Sequence, residues 1–329
     1  MTRILTNATT TCISAPGKVL VAGGYLVLDQ KYSGLVIGTD SRFYTTITSL
    51  NPNQTLANTK LVRRITVRSP QFDDGKWVYS CGIGSSSLNP CALNQDVAVN
   101  TERNKYVEYA LSLSLSVASF LSPDFLAKFG SELDVLIVGH NDFYSQRAQL
   151  ESRNLPISTE SLQSLEPFCA ALTTIGKVHK TGLGSSAAMI TSLVSAILVH
   201  FEVISIPSGE HGMVEFAHNM AQFVHCLAQG KVGSGFDVSS AVFGSHIYRR
   251  FDPEILADLM AFAEEVGVGY VDGEKILKVV RGVSKWDTQV QPFKLPLGIK
   301  LMLADVDAGS STPKLVSGVL GWREANPVQ

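Results

Sequence analysis

An α+β fold, with strands gathered in the first part of the chain and helices laid over the sheet afterwards, is what this sequence predicts. Three observations predict it. Residues 10–80 are rich in short β-branched runs of alternating apolar and polar side chains, punctuated by Pro-Gly, Gly-Gly and Asp-Gly pairs. Residues 187–266 carry longer runs with helical apolar spacing. No internal repeat or low-complexity tract interrupts this order.

Taken in order, Thr10–Ala15, Lys18–Ala22 and Tyr25–Leu28 read as short strands broken by Pro16-Gly17 and Gly23-Gly24. Alternation predicts further strands at Phe43–Ser49 and Leu61–Arg68. Asp74-Gly75 ahead of Trp77–Ser80 is a hairpin turn signal. A helix is expected over Glu102–Leu121, a buried strand over Leu133–Val138, and a polar excursion loop over Asn141–Leu165. Helices are then expected at Ala187–Phe201 and Gly212–Gln229, a strand at Ser245–Arg250 and a helix at Pro253–Val266. From Trp286 the pattern changes to a Pro-punctuated strand, Ile299–Val306, and a helix start at Gly309-Ser310-Ser311-Thr312-Pro313.

A length of 329 residues allows a large core and suggests two domains. The expected division is 1–250 and 251–329. The second piece has too few elements for a core of its own, and the chain is therefore expected to be a truncated form.

Lys and Arg number 27 against 29 Asp and Glu, so no broad basic field for nucleic acid is implied and any anion site must be local. Cys12, Cys81, Cys91, Cys169 and Cys226 are scattered and form no C-x-x-C pair, which points to a reducing compartment and away from a thiolate zinc site. Met1–Thr11 is polar and lacks the apolar centre of a signal peptide. The longest apolar segment, Ala110–Leu121, is interrupted by serines and too short for a bilayer of about 30 Å. A cytoplasmic protein without a membrane or nucleic-acid partner is expected, with a peroxisomal location left open.

Four constellations carry chemistry. The run Lys180-Thr181-Gly182-Leu183-Gly184-Ser185-Ser186-Ala187-Ala188 brings two glycines to the start of a long apolar helix. Glycine lets the backbone approach a bulky anion, and a helix start offers unpaired N–H groups and a positive dipole end. No Gly-Lys-Ser/Thr follows at the P-loop spacing, so this is a different phosphate-cradling design. A tight connection is the plain alternative. The hydroxyls of Ser185 and Ser186 weigh against it, since they can ligate Mg²⁺ or donate to phosphate.

Ser14-Ala15-Pro16-Gly17-Lys18 places a compact cation after a Pro-Gly turn, suited to a phosphate oxygen or a carboxylate. Loop lysines are more often simply solvated, and Lys18 takes its weight from its company. Gln229-Gly230-Lys231-Val232-Gly233-Ser234-Gly235-Phe236-Asp237 sets three glycines before one carboxylate at a helix start. Asp237 either caps that helix or faces a phosphoryl acceptor. The fourth, Gly139–Arg147, gathers hydrogen-bonding residues including Ser145 and Arg147 after a buried strand, and reads equally as polar recognition or as a capped turn. His211, His218 and His225 recur every seven residues on one helix, about 10 Å apart per step, too far to share a metal.

Ser-Ala-Pro-Gly-Lys at 14–18, Gly-Leu-Gly-Ser-Ser-Ala-Ala at 182–188 and Gly-Ser-Gly-Phe-Asp at 233–237 together resemble the GHMP kinases, a family of small-molecule kinases. The resemblance covers essentially the whole chain. Gly17–Leu28, Asn141–Ser145, His225-Cys226, Ala228–Lys231 and Gly309–Pro313 resemble most the eukaryotic-type branch that acts on 5-phosphomevalonate. The resemblance implies an N-terminal ribosomal-protein-S5-like domain followed by an incomplete ferredoxin-like α+β domain. It implies ATP-dependent conversion of 5-phosphomevalonate to 5-diphosphomevalonate in isoprenoid and sterol precursor synthesis. On it, Lys180 and Gly182–Ala188 hold the ATP phosphates, and Ser186 is a Mg²⁺ ligand. Lys18 and Asp237 take the catalytic positions, with Lys18, Ser145, Arg147, Lys231, Ser234 and Gly235 on the substrate.

Many members carry a metal-binding glutamate before the aspartate, where this chain has Val224-His225-Cys226-Leu227. The family's third Gly-rich motif is expected beyond residue 329. Two other readings stand beside this one: a member of the same family acting on mevalonate or diphosphomevalonate, and a catalytically inert chain of the same fold.

Overall fold

A computed structural model describes residues 9–51, 61–83, 92–205, 211–282, 286–304 and 312–326. Its strands are β1 (Thr9–Ala22), β2 (Gly34–Leu50), β3 (Leu61–Arg68), β4 (Lys76–Ile83), β5 (Ala92–Gln95), β6 (Glu132–Gly139), β7 (His246–Arg249) and β8 (Gln289–Pro292). Its helices are α1 (Lys105–Leu121), α2 (Phe125–Phe129), α3 (Arg147–Ser152), α4 (Thr159–Gln163), α5 (Ser185–His200), α6 (His211–Gln229), α7 (Phe236–Phe243), α8 (Glu254–Val266), α9 (Gly273–Val280) and α10 (Thr312–Ala325).

The strands form one sheet in the order β5-β4-β3-β6-β2-β7-β8, with β1 along the other edge of β2. Every pairing is antiparallel except β3 with β6. Strand β2 organises the molecule. Its residues alternate between buried and part-exposed from Phe43 to Leu50, the period of a strand with one face on the core. Helix α5 lies on that face and is buried almost all round, in keeping with its mostly apolar sequence interrupted only by small hydroxyl residues before His200. Helices α1 and α6 pack beside it, and α8 and α9 join the same core through Leu256, Leu259, Ile276 and Val280. The core thus continues past residue 250, and β8 extends the sheet beside β7.

Three sequence expectations are corrected. Pro16-Gly17 does not end a strand, because β1 runs through it with a register shift between Pro16 and Lys18. A bulge absorbs the proline's missing N–H without breaking the ladder. Gly24–Leu28 is a 3-10 turn instead of a strand: Gly23 at φ 103° reverses the chain before a pairing partner is reached. Residues Ile299–Ala304 form no strand, since β8 is the last strand among the described residues and none of these pairs with them. Residues 305–306 of that expectation, and 309–311 of the next helix start, lie outside the described residues. The Asn141–Leu165 excursion is more ordered than expected, holding α3 and α4.

Two buried histidines tie the layers together. Ser49 Oγ donates to Lys128 O at 2.5 Å, so it accepts from His200 Nε2 at 2.7 Å, leaving Nδ1 to accept from Thr11 Oγ1 at 3.0 Å. His218 bonds Asn219 Oδ1 at 2.9 Å and Gln222 at 3.1 Å. Burial pushes both imidazoles down to about 4, with Lys128 adding to the effect at His200. Between pH 6.5 and 4 the unfolded chain therefore holds more protons than the folded one, and stability falls as pH falls through that window. We expect the melting temperature to drop steadily between those limits and His200→Gln to flatten the slope. A level profile would contradict neutral buried histidines.

Candidate active site

The glycine run at 182–184 adopts left-handed backbone at both glycines, Gly182 at φ 80° and Gly184 at φ 76°. Gly184 is the N-cap of α5 and supplies no side chain to close the helix start. The first amide bonded within the helix is that of Ala188, to Gly184 O at 3.1 Å. The amides of Ser185, Ser186 and Ala187 therefore face out of the helix end, on the positive pole of a 16-residue dipole. Ala187 and Ala188 point their side chains into the core at 0% and 1% exposure. Their role in this cradle is packing, together with the Ala187 amide. Leu183 turns its carbonyl the other way, to accept from Lys18 N at 2.8 Å.

That contact brings β1 onto the loop, and Gly17 permits it. A Cβ there would lie 2.9 Å from Phe143 Cε1 and Thr39 Oγ1 and 3.0 Å from Leu183 O. Lys18 then extends along the loop and donates from Nζ to Gly182 O at 2.9 Å, with Nζ 5.5 Å from the centroid of the Phe236 ring. Burial lowers its pKa, and the charge of Asp237 works against that.

On the opposite wall α6 ends at Gln229, Gly230 turns at φ 71°, and α7 starts at Phe236 behind the left-handed N-cap Gly235 at φ 78°. Asp237 sits in the first turn of α7, its Oδ1 accepting from Val238 N at 3.0 Å. The N-cap of α7 is Gly235, so Asp237 is not the cap; it satisfies one first-turn amide and lines the cavity.

The two turns enclose a cavity of about 600 Å³. Lys18, Lys180, Gly182, Gly184, Ser185, Ser186, Lys231, Ser234, Gly235 and Asp237 all line it. Ser145 and Arg147 do not; Ser145 donates its amide to His179 O, one strand-bridge away from Lys180. A separate cavity of about 690 Å³ lies against Phe216, Trp286 and Val290 and holds none of the motif residues.

The sequence sets His225 aside as a metal ligand while placing it near the site, and the structure puts it on the cavity wall. Its Nε2 lies 3.2 Å from Ser186 Oγ and 3.2 Å from Gln229 Nε2, and its ring centroid lies 6.4 Å from that of Tyr106. Burial lowers its pKa, opposed by Asp237. One turn separates His225 from the Gln229-Gly230 motif, which was the available signal. Its partner Ser186 comes from another helix, which sequence spacing does not show. Also unannounced is an apolar flank of Trp77, Tyr106, Val107, Ile175 and Val178. Ser186 Oγ and the Asp237 carboxylate are hard oxygen donors on one cavity, the ligand type Mg²⁺ takes beside nucleotide phosphates. Among the described residues no group of three or more His, Cys, Asp or Glu forms a protein-only cage.

A phosphomevalonate kinase of Gibberella zeae is 36% identical to this chain over 323 residues, covering 97% of this chain and 68% of that protein. The chain belongs to the phosphomevalonate kinase family. A peroxisomal phosphomevalonate kinase of Arabidopsis thaliana is 37% identical over 342 residues, covering 95% of this chain and 64% of its own length. This family member thus spans about two thirds of the curated relatives it matches. No protein-family model matches the chain. Among solved structures, the Lin0012 protein of Listeria innocua shares the fold, with a TM-score of 0.57 at 16% identity over 97% of this chain and 67% of that one. In this member of the family the fold sets the three motifs around one cavity.

Proposed function

We propose that this chain binds ATP and 5-phosphomevalonate and forms 5-diphosphomevalonate and ADP. One observation carries the proposal: two turns with free helix-start amides face each other across a cavity, with Lys18 between them. An alcohol acceptor presents one phosphate-bearing partner to such a site. Two cradles suit a reaction in which both partners carry phosphate.

In this reading the Ser185–Ala187 amides and Lys180 hold the donor's phosphates, and the apolar flank at Trp77 and Tyr106 has the surface a purine needs. Lys231, Ser234 and Gly235 lie on the acceptor's side. An oxygen of the acceptor phosphate attacks the γ-phosphorus, a new O–P bond forms, the bond to the β,γ-bridging oxygen breaks, and ADP leaves with that electron pair. Lys18 stabilises the charge on the transferring group from its place between the cradles. Mg²⁺, which Ser186 would hold with the phosphates, supplies charge neutralisation when bound. Ser145 and Arg147 stand off the cavity wall, and a part for them requires movement of the Gly139–Arg147 segment toward the acceptor.

No helix among the described residues is long and apolar enough to cross a membrane. Cys12, Cys81, Cys169 and Cys226 form no disulfide, which suits the cytoplasm or the peroxisome named for the plant relative. Phosphate transfer from ATP to mevalonate, 5-phosphomevalonate and 5-diphosphomevalonate, measured side by side, tests the proposal. Turnover with 5-phosphomevalonate alone is expected. Preference for mevalonate would overturn the two-cradle reading, and binding without turnover would favour an inert chain.

A further inference from the structure

Behind the acceptor-side turn lies a set of buried donors that belongs to no motif. Arg250 Nη2 donates to Val232 O at 3.0 Å and Gly233 O at 2.7 Å, and its Nη1 donates to Leu28 O at 2.8 Å. Tyr248 Oη donates to Ser234 O at 2.6 Å, and Gln222 Nε2 donates to Gly235 O at 2.7 Å. Four consecutive carbonyls are thus drawn to the protein side by three side chains. Arg250 is 8% exposed, and Tyr248 and Gln222 are fully buried.

The planar trans peptide converts this into a statement about the cavity side. In each peptide the N–H points opposite to the C=O. With Gly233 O, Ser234 O and Gly235 O drawn back, the amides of Ser234, Gly235 and Phe236 point the other way, and these residues line the cavity. Neighbouring amides are already used: Gly233 N–H on the Cys226 sulfur and Val238 N–H on Asp237 Oδ1. A second observation points independently to a ligand that carries a donor: Gln222 Oε1, on a residue that lines the cavity, is buried without a partner and can accept from a ligand hydroxyl, while taking no part in holding the phosphate.

We propose that Arg250, Tyr248 and Gln222 are positioning residues that hold the Ser234–Phe236 amides open as the seat of a phosphate dianion. The identity of that dianion as the acceptor's phosphate rests on the function proposed above; the cradle itself does not. The guanidinium is the only side-chain type with a planar fork able to reach three carbonyls of two segments at once. It joins the turn at Leu28 to the turn at 232–233 and sets a positive charge behind amides that receive an anion.

The test uses the ¹⁵N-labelled chain with two probes, inorganic phosphate and 5-phosphomevalonate, each titrated in the presence of a non-hydrolysable ATP analogue. Phosphate should move the amide resonances of Ser234, Gly235 and Phe236. Tyr248→Phe keeps the ring in the core and should weaken phosphate by about 3- to 10-fold. Arg250→Lys keeps the charge but loses the fork and should weaken it by about 10- to 100-fold. Calorimetric affinity for the ATP analogue should stay within about twofold in both variants, a split that a general loss of structure does not produce. Unmoved amides, or equal losses for both ligands, would overturn the proposal. Phosphate binding at the turn without 5-phosphomevalonate binding would instead overturn the substrate reading and leave the cradle standing.

Discussion

Lys18→Met should lower the turnover of phosphate transfer by about 10²- to 10³-fold, the loss expected when a preorganised donor to the transferring group is removed. Asp237→Asn should cost far less, about tenfold. The order follows from the acceptor proposed above. A phosphate monoester has a second pKa of about 6, so it is already largely dianionic at neutral pH and needs no base. The obstacle is repulsion between two phosphates, which a cation between the cradles offsets and a carboxylate does not. Asp237 then acts by holding Lys18 charged against its burial and by orienting the acceptor. Steady-state kinetics on both variants decide the order, and a larger loss for Asp237→Asn would restore it as a base. Lys18→Met should also leave the melting temperature unchanged or raise it, because burial disfavours the lysine's charge in the folded state. A kinetic loss accompanied by a fall in stability would assign Lys18 a structural role.

The second large effect is expected at Gly184. Alanine there is forced into a left-handed conformation at φ 76°, costing about 1–2 kcal/mol. Its Cβ would also lie 3.0 Å from Lys18 Cε and 3.2 Å from Cγ. The lysine must give way, so Gly184→Ala should weaken ATP by about 10- to 100-fold and lower turnover as well. Gly182→Ala is the control. It has nearly the same φ, 80°, yet its Cβ meets nothing within 4 Å. It should lose similar stability from strain while retaining the Lys18 position and most of the turnover. Calorimetry for the nucleotide and kinetics at saturating ATP separate the two. Equal turnover losses would refute the steric link between the loop and Lys18.

Much of the site was legible because its parts are backbone devices. Gly182, Gly184 and Gly235 announce left-handed turns ahead of apolar helices, and a helix start has the same electrostatics wherever it lies. Lys18 was legible only as company for those turns. Its exact partner was not, since the approach of β1 to Leu183 O depends on a bulge that Pro16-Gly17 disguised as a strand end. His225 was passed over for a related reason. A seven-residue spacing describes one helix face, and the hydroxyl it meets belongs to Ser186 on another helix. Ile299–Val306 was read as a strand from composition alone, while a ladder needs a neighbour that residues 299–304 lack among the described residues.

The α+β order and the anion-cradling loops were determined by the sequence itself, because local backbone preference and helix-start polarity act over a few residues. Only the tertiary structure decided what each cradle faces. It set Lys18 between them, returned His225 to Ser186, left Ser145 and Arg147 off the wall, and placed Arg250, Tyr248 and Gln222 behind the turn at 232–235. These contacts join residues up to 222 positions apart, as Arg250 to Leu28 does, and their geometry exists only after the sheet and α5 have packed.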